Sequence, residues 1–343
     1  MTETRNFLGL RKAFCSFGLL AAAAGAWAQP FYLPTANRAL FEKGHEAEFF
    51  VPTTGKTWET GCFGCVRTDG WQMHEGLDIK CLQRDRYGEP TDPVMATAAG
   101  QVAYINNHPN LSNYGRYIVL QHVIDGVEVY SLYAHLHAVR SDLKPGALVK
   151  AGEPIAVMGR TSNTAETISK ERAHVHFELN LFYNEHFSAW YRVHFPNERN
   201  DHGIWNGENL VGFDPRLILL AEREEGEHFN LLAWLQHRTA LCRVLVRKTG
   251  MPWLKRYPML VQGNPLAQKE GVAGYEIALD YNGLPFEWIP RAASEISGKA
   301  AYRLVSVNEG EETAHPCRRL VKRAGSGWQL APAGTSLLDL LTE

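Results

Sequence analysis

The sequence predicts a mainly β protein in two parts: a larger domain over residues 49–221 and a smaller β-rich C-terminal module over residues 222–343. Two observations carry this. Between Phe49 and Ala221, short runs rich in β-branched and aromatic residues are separated by Gly, Pro and Asn, and long amphipathic helical patterns are absent. Further along, Tyr275, Ile277, Leu279 and Tyr281 alternate with Glu276, Ala278 and Asp280, the period of two expected of a half-buried strand.

Taken in order, residues 1–28 read as an export signal. Arg5, Arg11 and Lys12 give a positive start, Ala13 to Ala24 is almost wholly apolar, and Ala26-Trp27-Ala28 supplies small residues before Gln29. The apolar run is shorter than the roughly 20 residues that span a bilayer, so the mature chain is expected to lack a transmembrane segment and to be periplasmic or secreted. Residues 29–48 form an N-terminal segment, and Gln29 to Phe50 could cover a site in a latent form. Strands are expected at Val94 to Ile105, Tyr117 to His122, Val127 to Leu136, Pro154 to Met158 and Ala173 to Leu181. The acidic stretch from Glu222 to Glu227 then separates the two parts. Strands follow at Cys242 to Arg247, Tyr275 to Tyr281, Tyr302 to Val307 and Trp328 to Leu330, the last after a Gly325-Ser326-Gly327 turn.

Charge narrows the partners. The formal charge is −2, and removal of residues 1–28 leaves 32 basic and 36 acidic side chains, a charge of −4. This is the wrong balance for affinity built on neutralising phosphates, so nucleic acid is excluded as the expected partner. Five cysteines remain after the signal: Cys62, Cys65, Cys81, Cys242 and Cys317. In an exported chain they are expected to form disulfides, with bridging among Cys62, Cys65 and Cys81, and with Cys242 and Cys317 closing a C-terminal loop. Metal or redox chemistry at Cys62-Phe63-Gly64-Cys65 is the alternative. Trp253, Tyr257, Trp288 and Trp328 would suit sugar or peptide contacts, although core packing is their commoner fate.

The histidines are more informative. In an extended strand His174, His176 and Glu178 share one face, while Val175, Phe177 and Leu179 point to the other. His74 and Asp78 are four residues apart, with Gly76 between them relaxing the backbone. A His-x-His pair alone is weak, since random placement of 14 histidines gives roughly 0.6 such pairs, and His135-Leu136-His137 is a second example. The combination is stronger. It supplies two imidazoles and one carboxylate, the donor set of a catalytic zinc ion with an open fourth position, and two spare bases besides. Glu178 could orient a ligand imidazole or be a solvated strand residue.

Several motifs in this order resemble the lysostaphin-type, or LytM family, zinc metallopeptidases, which cut peptide cross-links of bacterial cell walls. The resemblance runs from about Trp71 to Pro215. It rests on His74-Glu-Gly-Leu-Asp78, Pro93-Val-Met-Ala, Tyr114-Gly115-Arg-Tyr, Leu132-Tyr-Ala-His135, Lys144-Pro-Gly146 and His174-Val-His176-Phe-Glu178. It implies a β-sheet domain with its site in a groove, zinc bound by His74, Asp78 and His176, and catalysis by His135 and His174, which flank the metal without binding it. His174 is assigned as general base and His135 as transition-state stabiliser. The implied substrate is peptidoglycan peptides. Two stretches, Ile79 to Thr91 and Thr161 to Arg172, are longer than the family pattern and are expected to border the groove. Alternatives are a non-catalytic scaffold or activator of other wall hydrolases, a protease of glycine-rich proteins, and a non-haem iron oxygenase, whose metal also takes two His and one carboxylate.

Overall fold

The computed structural model describes residues 31–164 and 168–343, so the expected export signal lies outside the described residues. The first part of the chain contributes β1 (Gly64–Arg67), β2 (Gln72–His74), β3 (Leu77–Lys80), β4 (Pro93–Met95), β5 (Gly100–Asn106), β6 (Tyr117–Ile124), β7 (Val127–Ala134), β8 (Ala138–Val139), β9 (Leu148–Val149), β10 (Pro154–Val157), β11 (His174–Phe182) and β12 (Leu210–Phe213). The second contributes β13 (Cys242–Val246), β14 (Gly274–Leu279), β15 (Pro285–Arg291), β16 (Tyr302–Val307), β17 (Val321–Ala324) and β18 (Gly327–Leu330). The expected mainly β architecture is found, and the named strands pair antiparallel throughout.

The principal sheet runs β12-β11-β7-β6-β5-β9, with β3 added beside the first half of β11. Asp125-Gly126 closes the β6–β7 hairpin with both residues at positive φ, 51° and 79°, as a tight two-residue turn requires. All nine residues of β11 are buried. Val175, Phe177, Leu179 and Leu181 pack into the main apolar core, while His174, His176, Glu178 and Asn180 are polar residues buried on the other side. The alternation was readable in the sequence; the burial of both faces was not. The strand expected from Val94 to Ile105 is two strands, β4 and β5, in different sheets.

A four-stranded sheet, β15-β14-β13-β16, and the β17–β18 hairpin make up the second part. Its core is continuous with that of the first: Phe177, Leu179 and Phe213 belong to the same cluster of buried side chains as Ile277, Leu279, Leu338 and Leu341. Buried hydrogen bonds also cross between the parts, from Phe182 N to Tyr257 Oη at 2.9 Å and from Asn282 Nδ2 to the Gly212 carbonyl at 2.8 Å. Trp253, Tyr257 and Trp288 are fully buried, the core fate, and Trp328 is half-buried.

Three features differ from expectation. The acidic stretch after Ala221, expected to separate the two parts, begins as helix: its first residues continue a helix, Pro215–Glu225, and Glu222 is buried on it. Asp214 caps that helix by accepting from Arg216 N, Pro215 occupies its first turn, and Gly226 ends it at φ 57°. The Glu222 carboxylate accepts from Phe31 N at 3.0 Å, and its burial pushes its pKa up to about 7. Second, the disulfide joins Cys65 to Cys317, 252 residues apart, with Cα atoms 5.4 Å from each other. Cys62, Cys81 and Cys242 are free thiols; neither the bridging among Cys62, Cys65 and Cys81 nor the Cys242–Cys317 loop forms, because the fold brings residue 317 onto the β1–β2 hairpin instead. Third, residues 31–50 insert Phe31, Leu40, Phe49 and Phe50 into the core and do not line the groove described next.

Candidate metal centre

A groove of about 880 Å³ runs across the end of the principal sheet, and sheet register brings the histidine motifs to its floor. Antiparallel pairing of β11 with β3 sets His176 opposite Asp78, and pairing with β7 sets it opposite Ala134, the residue before His135. Side chains of directly opposed residues lie roughly 5 Å apart at Cβ, so register gathers Asp78 and His176 and ends β7 beside them, one residue before His135. His74 ends β2 and arrives through the turn at Glu75-Gly76. The glycine is required there by space: a Cβ on Gly76 would meet the Phe177 carbonyl oxygen and lie 2.9 Å from Glu178 Cγ and 3.0 Å from His176 Cε1. This is a close approach of two chain segments, not the relaxed backbone expected from sequence; φ at Gly76 is not positive.

The donor atoms converge. His74 Nε2 lies 3.2 Å from Asp78 Oδ1 and 3.2 Å from His176 Nδ1, and His176 Nδ1 lies 3.0 Å from Asp78 Oδ1. All three residues are buried. Bonds of about 2.0–2.1 Å at tetrahedral angles place two ligands about 3.3 Å apart, so this triangle fits around one cation. His174 Nε2 stands 3.4 Å from Asp78 Oδ1, and the His135 ring centroid is 4.8 Å from that of His174 and 5.9 Å from that of His176. All five expected residues therefore sit together. His137, the other half of the second His-x-His pair, is exposed and is not among the residues lining the groove.

Hydrogen bonds to the backbone fix which ring nitrogen is free. A carbonyl only accepts, so His74 Nδ1, 2.7 Å from the Cys62 carbonyl, carries its proton and leaves the lone pair on Nε2. The same holds for His135, whose Nδ1 donates to the Thr161 carbonyl at 2.9 Å, and for His174, whose Nδ1 donates to the Arg172 carbonyl at 2.7 Å. His176 is reversed. Its Nε2 donates to Glu178 Oε1 at 2.8 Å, turning Nδ1 toward Asp78. Glu178 also accepts from Tyr114 Oη at 2.7 Å and from Asn180 Nδ2 at 2.8 Å, and it is buried, so it orients the ring and is not a solvated strand residue.

Electrostatics follow from burial and neighbours. Burial lowers the pKa of His74 despite the nearby Asp78 carboxylate. Burial, with His174 and His176 adding to it, holds His135 well below the ordinary imidazole value. For His176, burial also disfavours the charge, but hydrogen bonds to Asp78 and Glu178 outweigh it and raise the pKa. Asp78 is held well below the carboxylate range: its burial opposes this, and the facing His74, His174 and His176 prevail. The backbone at His135 is left-handed, φ 60°, a conformation seldom adopted outside glycine that points its ring into the groove cluster.

Sequence reasoning missed two contributors. Arg67, at the end of β1, donates to Asp78 Oδ2 at 2.5 Å and lies 3.0 Å from His74 Nε2; no pattern in the sequence marked it. Tyr114 was within a recognised motif but had no assigned role. Of the two long stretches, only the second borders the groove, through Ser162, Asn163, Thr164, Ile168 and Arg172. The first braces it from behind: Arg84 donates to the Lys170 carbonyl at 2.5 Å, and Glu89 pairs with Arg160.

No curated protein matches the chain. Among solved structures it is similar to a zinc-containing peptidase from Vibrio cholerae, 25% identical over 39% of this chain and 30% of that one, with a TM-score of 0.23. It is also similar to the catalytic domain of the antimicrobial peptidase lysostaphin from Staphylococcus simulans, 24% identical over 38% of this chain and 75% of that one, with a TM-score of 0.25. Residues 72–187 match peptidase family M23. That span contains His74, Asp78, His135, His174 and His176, and it is a peptidase family M23 domain.

Proposed function

We propose that the protein is an exported zinc-dependent endopeptidase that hydrolyses peptide cross-links of bacterial peptidoglycan. One observation carries this reading: two imidazole nitrogens and one carboxylate oxygen stand 3.0–3.2 Å apart at the floor of an open groove, with His135 and His174 beside them. In this reading His74 Nε2, Asp78 Oδ1 and His176 Nδ1 hold zinc. When bound, the ion supplies Lewis acidity toward a peptide carbonyl and lowers the pKa of water toward neutrality.

The remaining work falls to the chain. His174, with its proton fixed on Nδ1 by the Arg172 carbonyl, offers Nε2 as general base toward the attacking water and can return the proton to the leaving amine. The stabilising role expected of His135 requires a protonated Nε2. Burial and the neighbouring imidazoles oppose that charge, so His135 rests as an acceptor and can donate from Nε2 only after taking a proton. Glu178 and Tyr114 hold His176 in the tautomer that presents Nδ1. Export is supported by the signal-like first 28 residues and by a disulfide of a kind that persists in oxidising compartments. The peptidoglycan substrate is supported by the family of residues 72–187.

The test is digestion of purified peptidoglycan with and without a chelator, reading fragments by mass. Chelator-sensitive release of new amino termini at cross-links is expected. Stoichiometric zinc without cleavage of any peptide would favour the scaffold reading, and cleavage of glycine-rich proteins alone would change the substrate.

A further inference from the structure

Arg67 lies outside residues 72–187, on the β1–β2 hairpin, two residues after the disulfide cysteine Cys65. One terminal nitrogen of its guanidinium donates to Asp78 Oδ2 at 2.5 Å and lies 3.0 Å from His74 Nε2, and the other donates to Thr53 Oγ1. Its side chain is largely buried. A fixed positive charge thus grips two of the three residues that form the donor triangle.

The contact with His74 is decisive. Because the His74 ring proton sits on Nδ1, facing the Cys62 carbonyl, Nε2 has a single in-plane lone pair. A hydrogen bond from Arg67 and a bond to a metal ion cannot share it. The contact with Asp78 is different. Arg67 takes Oδ2, whereas Oδ1 faces His74, His174 and His176, so the carboxylate can serve both partners. A guanidinium does not lose its proton in proteins, so raising the pH does not relieve this competition.

We propose that Arg67 is an internal competitor for the cation site, holding Asp78 and His74 in the metal-free chain and surrendering His74 Nε2, while keeping Asp78 Oδ2, when a metal binds. The inference rests on the metal-binding reading of His74, Asp78 and His176. It gives the metal-free cluster a charge partner for the buried Asp78, and it weakens metal affinity by requiring a like charge to give way beside the ion. The Cys65–Cys317 crosslink ties down the strand behind Arg67, so the side chain, rather than the hairpin, has to yield.

The experiment compares the full protein with Arg67→Met and Thr53→Val, each stripped with chelator and titrated with zinc against a chromophoric competitor, with Asp78→Ala as the non-binding control. Arg67→Met is expected to bind zinc about tenfold more tightly than the unaltered chain. Thr53→Val, which frees the far end of the guanidinium and keeps the fold if Arg67→Met does not, is expected to shift in the same direction by less. Thermal unfolding gives a second readout: the zinc-induced rise in Tm should be larger in Arg67→Met, because its metal-free form leaves Asp78 without its guanidinium. Equal or weaker zinc binding by both variants, with the unaltered chain binding normally, overturns the role of Arg67 alone. Absence of zinc binding in all of them overturns the metal reading and this inference together.

Discussion

Two buried histidine environments stand in the first part of the molecule and behave oppositely. His122, on β6, has Nδ1 2.9 Å from the Ala99 carbonyl and Nε2 2.7 Å from Ser131 Oγ, so both ring nitrogens are satisfied by neutral partners. Burial pushes its pKa down to about 4, and nothing is left for a ligand. At His74 and His176 burial is similar, yet each ring spends only one nitrogen on an orienting partner and turns the other toward a shared carboxylate. Burial of a histidine therefore says little about function. What distinguishes a site is a second ring nitrogen turned toward a shared anion and a neighbouring imidazole.

The comparison can be broken most directly at Asp78. Asp78→Ala removes the anion, and both bound zinc and hydrolysis should disappear; stoichiometric zinc by elemental analysis with full activity would place the ligands elsewhere. Next in size are His135→Ala and His174→Ala, each expected to keep zinc while turnover falls by about 10²–10⁴. A variant that lost metal as completely as His176→Ala would have to be counted among the ligands.

The smallest effect belongs to His122. Its folded pKa of about 4 lies below the ordinary value of about 6.5, so the unfolded chain binds the extra proton between these values. Stability is then complete above pH 6.5 and declines as pH falls toward 4, by up to about 3 kcal/mol. His122→Gln should flatten that part of the stability curve, measured by denaturant unfolding, without changing zinc binding. A loss of metal in His122→Gln would erase the distinction between the two environments.

Much of this was legible because short-range chemistry determined it. The strands β6, β7, β10 and β11 announced themselves through β-branched and aromatic runs, and the alternation of His174, Val175, His176 and Phe177 already separated a polar face from a core face. What escaped depends on contacts distant in sequence. Arg67 reaches Asp78 only because the β1–β2 hairpin brings its side chain to β3, and Cys65 finds Cys317 only because the second part packs onto that hairpin. The helix at Pro215–Glu225 is a different case: Asp214, Pro215 and Gly226 are ordinary start and stop signals, but the density of charge after Ala221 read as a separation between the two parts, since nothing local shows that Glu222 meets the Phe31 amide.

The crosslink between Cys65 and Cys317 also has a temporal side. Its second sulfur is synthesised after nearly every residue that borders the groove, Arg318 being the exception. A nascent or prematurely terminated chain that stops short of position 317 can therefore possess every imidazole of the cluster and still lack the staple on the hairpin that delivers His74.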